Sequence, residues 1–311
     1  MGKSEFELID WIQKHSQLQD ADVELGIGDD MAILAVGGEK LLVTTDMLLE
    51  GVHFDLNRCT LAQVGYKAMA CSLSDCAAMA SVPLAAVVAV ALPNHMSMKE
   101  AQELHGGLQQ AAKQYHCPLV GGDTTSWDKP LAINVTMLAR AMGVEPVRRS
   151  GARVGDAILV TGELGGSLQG KHMNFTPRLR EARALAGLAD LHAMIDISDG
   201  ISSDLNHICT ESRVSAVIYE DRLPLSAAAL AGKDPLAAAL HDGEDFELLF
   251  TVSQEDSRRL EALWPPHWQV RLSVIGTMEP PGNESESAIV LVRRDGRREP
   301  VQPGGWEHFR G

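Results

Sequence analysis

Aspartates recur in five short motifs along the first two thirds of this 311-residue chain. Glycines, hydroxyl residues or apolar strand-like runs flank most of them. The motifs are Gly26-Ile27-Gly28-Asp29-Asp30, Thr44-Thr45-Asp46, Ser72-Leu73-Ser74-Asp75, Gly121-Gly122-Asp123-Thr124-Thr125 and Asp196-Ile197-Ser198-Asp199. Carboxylates are seldom buried unless they are paired or bind a metal. Carboxylates at segment ends with few basic neighbours therefore indicate a shared site for a hard cation.

The first two motifs each have a plain structural explanation beside the functional one. Gly26 and Gly28 would let backbone N–H groups approach a phosphate while carboxylates hold Mg²⁺, or the segment is a tight turn with solvated Asp29 and Asp30. The Thr44-Thr45-Asp46 motif ends a strand, where its oxygens either ligate Mg²⁺ or form an Asx turn.

Asp75 stands in an otherwise apolar helical stretch, Ala68–Ala80. A carboxylate in such a place needs a partner, because an unpaired buried charge is costly. A metal ion is one such partner. Lys67, two helical turns earlier, is the alternative, and it would make Asp75 half of a structural ion pair.

The later motifs follow strand-like runs. A Gly-Gly-Asp turn after Pro118–Val120 is a common ligand position in α/β folds, although a plain turn is equally consistent. In an extended segment Asp196 and Ser198 share one face, and Ser198 or Asp199 is also a good helix N-cap. The segment Asp242-Gly243-Glu244-Asp245 precedes another strand, as a polar contact or a solvated loop.

A glycine-rich segment, Gly165 to His172, nearly matches the phosphate-binding P-loop. His172 stands where that loop requires the Ser or Thr that reaches Mg²⁺. We therefore interpret it as a glycine-rich turn that can still touch nucleotide.

Composition excludes several classes of function. The net charge of −15, from 27 basic and 42 acidic residues, disfavours nucleic-acid binding, which usually requires a basic surface. Five cysteines without a CxxC pair favour a reducing cytoplasm over a disulfide scaffold or a zinc ribbon. The longest apolar run, Val82–Leu92, is shorter than the roughly 20 residues that span a bilayer, so no membrane association is expected.

The elements that must position these residues mix helices and strands. An Ala/Met-rich composition predicts a helix over about residues 60–80, and the capping box of Ser97 and Glu100 predicts another over about residues 97–116. Gly37-Gly38 predicts a hairpin between residues 31–36 and 40–45. The pattern is that of an α/β or α+β protein. The length suggests two domains, and the irregular segment Gly143–Gly151 is the best linker, so we place the domains at residues 1–145 and 146–311.

Ten segments, in this order and spacing, resemble the thiamine-monophosphate kinase family, which belongs to the aminoimidazole ribonucleotide synthase superfamily. Any one segment is weak evidence, but the ten together span nearly the whole chain and are highly specific. They are Glu24–Asp30, Thr44–Asp46, Gly51–Phe54, Tyr66–Ala68, Leu73–Asp75, Gly121–Thr125, Arg149–Gly151, Asp196–Gly200, Gly243–Asp245 and Gly305–Phe309.

The resemblance implies a two-domain aminoimidazole ribonucleotide synthase-like fold. Its N-terminal domain would bind ATP and Mg²⁺ and dimerise through its sheet, and its C-terminal α/β domain would complete the nucleotide and substrate site. The implied protein is a cytoplasmic homodimer that phosphorylates thiamine monophosphate with ATP. Several Mg²⁺ ions would assist a direct in-line transfer that requires no side-chain nucleophile.

The resemblance also assigns roles to residues, except within Gly166–Arg178, which departs from the family pattern. The implied Mg²⁺ ligands are Asp30, Thr44, Thr45, Asp46, Asp75, Asp123, Asp196 and Asp199. The implied ATP contacts are Gly122, Asp123, Arg149 and Ser198, and the implied contacts to thiamine monophosphate are His53, Glu244 and Trp306. Trp306 would stack on the thiamine rings with a cation–π component, and Glu244 would attract the thiazolium cation.

Other functions stay open at this point. A purine-pathway synthase, a selenophosphate synthetase or a hydrogenase-maturation factor is possible within the superfamily. The second would need a reactive N-terminal cysteine, whereas the first cysteine here is Cys59, and the third would need a C-terminal cysteine, whereas the sequence ends Phe309-Arg310-Gly311. A sensor that binds without catalysis, and a P-loop NTPase that depends on Lys171, are the remaining alternatives.

Overall fold

Two β-sheets with packed helices organise the chain. The computed structural model describes residues 5–16, 21–141, 143–265, 267–282 and 287–305. The irregular segment 143–151 joins the sheet of the first half to that of the second, and its boundary role stays a prediction.

The first sheet has the strand order β1-β2-β3-β6-β4-β5, and all its pairs are antiparallel except β4 with β5. Its strands are β1 (Val23–Leu25), β2 (Ala32–Val36), β3 (Glu39–Leu49), β4 (Val82–Pro93), β5 (Leu119–Trp127) and β6 (Ala132–Arg140), and the helices of this half are α1 (Glu5–His15), α2 (Leu61–Ala78) and α3 (Met98–Gln114).

The second sheet has the order β13-β12-β9-β11-β7-β10-β8 and is antiparallel except between β12 and β9. Its strands are β7 (Ala157–Thr161), β8 (Leu191–Asp196), β9 (Ser215–Tyr219), β10 (Leu248–Val252), β11 (Leu272–Glu279), β12 (Ile289–Val292) and β13 (Arg298–Val301). The helices of this half are α4 (Leu179–Leu188), α5 (Ile201–Ser212), α6 (Ala227–Ala231), α7 (Pro235–His241) and α8 (Gln254–Leu263).

The mixed α/β class and the hairpin are confirmed. Strands β2 and β3 pair around Gly37 and Gly38, and helix α3 begins after the predicted capping box of Ser97. Helix α2 is present as well, and it begins after a capping box of Thr60 that was not predicted. In the part of the chain that the structure describes, no helix is long and apolar enough to cross a membrane.

One predicted loop is wrong, because the segment Gly121–Thr125 lies inside strand β5. Parallel pairing with β4 satisfies its backbone, and Asp123 lies opposite Ala89. At Gly122, with φ of 154°, a Cβ atom would stand 1.9 Å from the carbonyl oxygen of Val88. The glycine therefore marks a close approach of two strands, which sequence alone cannot distinguish from a turn.

Helix α2 is the shared wall of the two halves. It contacts the first sheet, α3, α4 and β8. Phe246 and Phe175 from the second half stack on each other at 3.9 Å between ring centroids and belong to the same apolar core as the α2 residue Met69. Buried apolar contacts therefore join the two halves of the chain.

The contact between α2 and α3 depends on glycine. A Cβ atom at Gly107 would meet the backbone carbonyl oxygen of Ala62 at 1.9 Å, and one at Gly65 would meet that of Leu104 at 2.2 Å. Gly106, next in sequence, has nothing within 4 Å of its Cβ position. The spacing of helices α2 and α3 is therefore set by these two close approaches of their backbones.

We predict opposite effects for two adjacent substitutions. Gly107→Ala should lower the free energy of unfolding by about 1–3 kcal/mol, because the helices must separate. Gly106→Ala should leave it unchanged or raise it by up to about 1 kcal/mol, since alanine favours an exposed helix position. Urea denaturation followed by circular dichroism measures both, and equal midpoints for the two variants would contradict the close packing.

Candidate functional site

Three aspartates from distant parts of the chain meet at the junction of the two halves. Asp30 precedes β2, Asp75 lies on α2 and Asp196 ends β8. Each of them offers a carboxylate oxygen within 4.8 Å of those of the other two. Asp30 and Asp196 are buried, and Asp75 is half-buried. The structure thus brings the second-half aspartate against the first-half pair.

Hydroxyl groups orient the carboxylates. Thr44 Oγ1 donates to Asp75 Oδ2, and Ser74 Oγ donates to Asp196 Oδ2, each at 2.5 Å. Ser72 Oγ donates to Asp46 Oδ2 at 2.5 Å. Helix α2 supplies both serines, so the motif Ser72–Asp75 positions carboxylates on three separate elements. Neither serine is among the site residues predicted from the sequence.

Burial and mutual repulsion raise the pKa values of Asp196, Asp75 and Asp46. Burial, with the nearby charge of Asp30, raises the pKa of Asp196 to about 7. Burial and the charges of Asp46, Asp196 and Asp30 raise the pKa of Asp75 well above its ordinary value. Burial and Asp30 also raise the pKa of Asp46. These carboxylates are therefore short of positive charge.

The donor set fits a hard divalent cation. All its members are carboxylate or hydroxyl oxygens, which Mg²⁺ prefers. Oδ2 of Asp30 is buried and has no hydrogen-bond partner among the described residues. A cation beside it would satisfy that oxygen and relieve the repulsion.

Arg149 supplies one cation at the edge of the cluster. Its Nη2 donates to Asp30 Oδ1 at 2.7 Å, and its backbone N–H donates to Asp29 Oδ2 at 3.1 Å. Burial opposes its charge, but Asp30 and Asp29 raise the pKa of its guanidinium above the ordinary value. The predicted ATP contact is thus held next to the predicted metal ligands.

The turn after β8 holds Ser198 and Asp199 at the junction, although neither caps α5. Gly200 is the N-cap residue of that helix. Buried Asp204 accepts from the backbone N–H of Asp199 at 3.2 Å and from that of Gly200 at 3.0 Å. A carboxylate inside the first helical turn replaces the expected cap, because Gly200 lacks a side chain.

Two predicted ligands lie on the opposite face of the first sheet. Thr45 alternates with Thr44 and Asp46, and its Oγ1 contacts Asn134 and Thr136 on the outer face. Asp123 lies on the strand row of exposed Met47 and Asn134. Strands β6 and β4 separate it from β3, which corresponds to about 14 Å across the sheet. Within one chain, Asp123 does not join the carboxylate cluster.

A cavity of about 540 Å³ opens beside the cluster and is lined from both halves. Five predicted site residues line it, which are Asp46, His53, Ser198, Asp199 and Glu244. Thr45 also borders it, although its hydroxyl group bonds on the outer face. A second cavity of about 380 Å³ shares His53 and Glu244 with it and adds Arg58 and His172. The predicted substrate contacts His53 and Glu244 therefore lie between the two cavities and line both of them.

Glu244 has two basic neighbours that the sequence analysis did not assign to it. Its Oε1 accepts from Lys67 Nζ at 2.6 Å, and its Oε2 lies 2.6 Å from His172 Nδ1. The suggested ion pair of Lys67 with Asp75 is wrong. Eight residues along a helix span about 12 Å, and Lys67 therefore reaches a different part of the junction.

The glycine-rich segment is held by carboxylates, not open to phosphate. The backbone N–H of Gly165 donates to Asp245 at 2.7 Å, and that of Gly166 donates to Asp242 at 3.1 Å. Lys171 Nζ donates to Glu247 at 2.9 Å. The groups that a P-loop would offer to phosphates are thus already used, which disfavours the P-loop NTPase. Trp306, the remaining predicted contact, lies outside the described residues.

Comparison with known proteins matches both halves of the chain. The family model of the AIR synthase related protein N-terminal domain matches residues 28–141, and that of the C-terminal domain matches residues 153–288. The thiamine-monophosphate kinase of Rhodopirellula baltica is 39% identical over 82% of this chain and 83% of that protein. The enzyme of the same name from Bacillus subtilis is 32% identical over 98% of this chain and 99% of its own length.

A solved structure shares the whole architecture. The structure of AaThiL complexed with AMPPCP and TMP is similar with a TM-score of 0.83 and 31% sequence identity. The similarity covers 98% of this chain and 97% of that one.

The raised pKa of Asp196 predicts a pH-dependent stability without metal. The folded state keeps its proton up to about pH 7, whereas the unfolded chain releases it near its ordinary pKa of 3.8. Stability is therefore lost as pH rises between these values. Asp196→Asn should flatten this decline and raise Tm near neutral pH by about 2–4 °C for each kcal/mol gained.

Thermal melts with and without EDTA test this expectation. Mg²⁺ should raise the Tm of the wild type more than that of Asp196→Asn. Asp128→Asn changes an exposed carboxylate and is the matched control. Wild-type and Asp196→Asn curves that run parallel across this pH range would refute the repulsion.

Proposed function

Because this chain belongs to the thiamine-monophosphate kinase family, we propose that it transfers the γ-phosphoryl group of ATP to thiamine monophosphate and forms thiamine diphosphate. The observation that carries this proposal is the carboxylate cluster beside a cavity lined by His53 and Glu244. The similarity to AaThiL with AMPPCP and TMP supports the same pair of substrates.

We infer that the cluster holds Mg²⁺. Asp30, Asp75 and Asp196 would form the centre of the site, with Thr44, Asp46 and Asp199 beside them. Bound Mg²⁺ would neutralise the repulsion between two anionic substrates and the charge of the in-line transition state. Arg149, held against Asp30, adds a fixed cation to which an ATP phosphate can bind.

The chain's task in the reaction is orientation. A phosphate monoester is already largely ionised near neutral pH, since its second pKa is about 6, so its oxygen needs no general base. Hydroxyl groups keep the carboxylates in fixed orientations, since Ser72 binds Asp46, Ser74 binds Asp196 and Thr44 binds Asp75. Such fixed geometry lowers the barrier, because the reacting groups meet already aligned.

At the substrate end, Glu244 remains anionic. Burial would raise its pKa, but His172 and Lys67 together bring the pKa of Glu244 below its ordinary value. Because Glu244 lines both cavities, its negative charge can attract the cationic thiazolium ring. His53 lines both cavities beside it.

We also infer a homodimer formed through the first sheet. Its outer face exposes Met47 and Val87, at 58% and 40%. Asp123 and Thr45 lie on this face, away from their own chain's cluster. Pairing two such faces would bury the apolar residues and place Asp123 at the partner's site. The unpaired cysteines of the described chain agree with a reducing cytoplasm.

The first experiment is incubation with MgATP and thiamine monophosphate. We expect thiamine diphosphate and ADP in equal amounts. Asp46→Asn should lower kcat by at least about 100-fold with the fold intact, because a metal ligand is lost. Exposed Asp128→Asn, the control, should keep wild-type turnover.

Other outcomes distinguish the alternatives. Release of inorganic phosphate in place of transfer would favour another superfamily activity, and binding of both ligands without product would favour a sensor. Near-normal turnover by Asp46→Asn would rule out the proposed metal site.

Mixing two inactive variants tests the shared site. In a mixed dimer of Asp46→Asn and Asp123→Asn, one of the two sites keeps both carboxylates if Asp123 serves its partner. Random mixing of subunits should then restore about a quarter of the wild-type activity, since half of the dimers are mixed. No recovery after subunit exchange, verified by native mass spectrometry, would place Asp123 in its own chain's site.

A further inference from the structure

We propose that Lys67 is a positioning residue for the substrate end of the site, where it fixes His53 of the first half and Glu244 of the second in one arrangement closed by His172. The inference rests on the proposed function, because these two residues matter only if they contact thiamine monophosphate.

The ammonium group of Lys67 is buried and is held by several partners. The residue is 0% exposed, on a helix face beside Val64 and Ala68. A lysine is almost never fully buried unless it is paired, because its charge loses hydration. Its burial at the junction therefore indicates a fixed set of partners.

Two acceptors and the ring of His172 surround Nζ. Nζ donates to the backbone oxygen of His53 at 2.7 Å and to Glu244 Oε1 at 2.6 Å, and it lies 3.1 Å from His172 Nδ1. With these partners in place Lys67 is fully buried, at 0% exposure. It must act through the residues that it holds.

Glu244 needs such a restraint. Its φ of 53° lies in the left-handed region, which residues other than glycine rarely adopt. Its backbone is held by Ser198, whose oxygen accepts at 2.7 Å, and by Ser167, whose Oγ donates at 2.6 Å. Lys67 and His172 fix the two carboxylate oxygens, so the whole residue is restrained.

The arrangement also explains a sequence departure. His172 lies in the segment that departs from the family pattern, in a 3₁₀ turn, Lys171–Met173. His172 Nδ1 lies closer to Glu244 Oε2, at 2.6 Å, than to Lys67 Nζ, which favours an N–H that donates to the carboxylate. This histidine therefore completes the restraint from a third element.

Steady-state kinetics of Lys67→Met test the proposal. We expect the KM for thiamine monophosphate to rise by at least about 10-fold while the KM for ATP stays within about twofold, because only the substrate end loses its restraint. Lys67→Arg, which retains the charge, should recover part of the loss. On a Glu244→Gln background, Lys67→Met should add less than about threefold, since the two residues act as one unit.

The control is Lys171→Met. It lies in the turn of His172 and breaks an ion pair with buried Glu247, but it touches neither His53 nor Glu244. We expect it to leave both KM values unchanged. Melting curves and AMPPCP binding by calorimetry establish that each variant is folded.

Each outcome decides a separate point. A wild type that forms no thiamine diphosphate defeats the proposed function. An active wild type with a folded Lys67→Met variant of unchanged KM for thiamine monophosphate overturns the role of Lys67. If Lys67→Met does not fold, His172→Ala decides, and an unchanged KM for thiamine monophosphate in that variant overturns the inference.

Discussion

Repulsion among buried carboxylates is the constraint around which the junction is built. Asp30, Asp75 and Asp196 come from three separated elements and stand within 4.8 Å of one another, and each would lose hydration on burial. The raised pKa values of Asp75 and Asp196 and the unpartnered oxygen of Asp30 indicate that the chain alone does not balance their charge. Such a site favours the binding of cations. In the proposed reaction between two anions, MgATP would supply them.

Helix α2 carries the parts that must keep fixed distances. It presents Ser72, Ser74 and Asp75 to the cluster and, two turns earlier, Lys67 to the substrate end. A rigid helix therefore spaces the phosphate chemistry from substrate recognition by about 12 Å. Helix α2 packs closely on α3 at Gly65 and Gly107, and a larger residue at either position would push apart the helices that support the site.

The two ends of the site neutralise charge by different means. At the phosphate end the permanent cation Arg149 pairs with one oxygen of Asp30, and the other oxygen of Asp30 is left free for exchangeable metal. At the other end Lys67 and His172 engage both oxygens of Glu244, so that carboxylate stays charged without metal. A fixed ion pair suits recognition of a constant cation, whereas a metal site suits phosphates that change during the reaction.

Residue type, local periodicity and turn chemistry were enough to predict the mixed α/β class, the β2–β3 hairpin, helix α2, helix α3 with its capping box, and the aspartate motifs. Which of those residues come into contact depends on the tertiary fold. Strand alternation sends Thr44 and Asp46 inward and Thr45 outward, the edge strand β5 carries Asp123 to the far face, and Lys67 finds Glu244, not Asp75. These contacts depend on the order of the strands in the sheet and on the packing of the two halves against each other. Lys67 and Glu244, for example, are 177 residues apart in the sequence, and no local pattern encodes their contact.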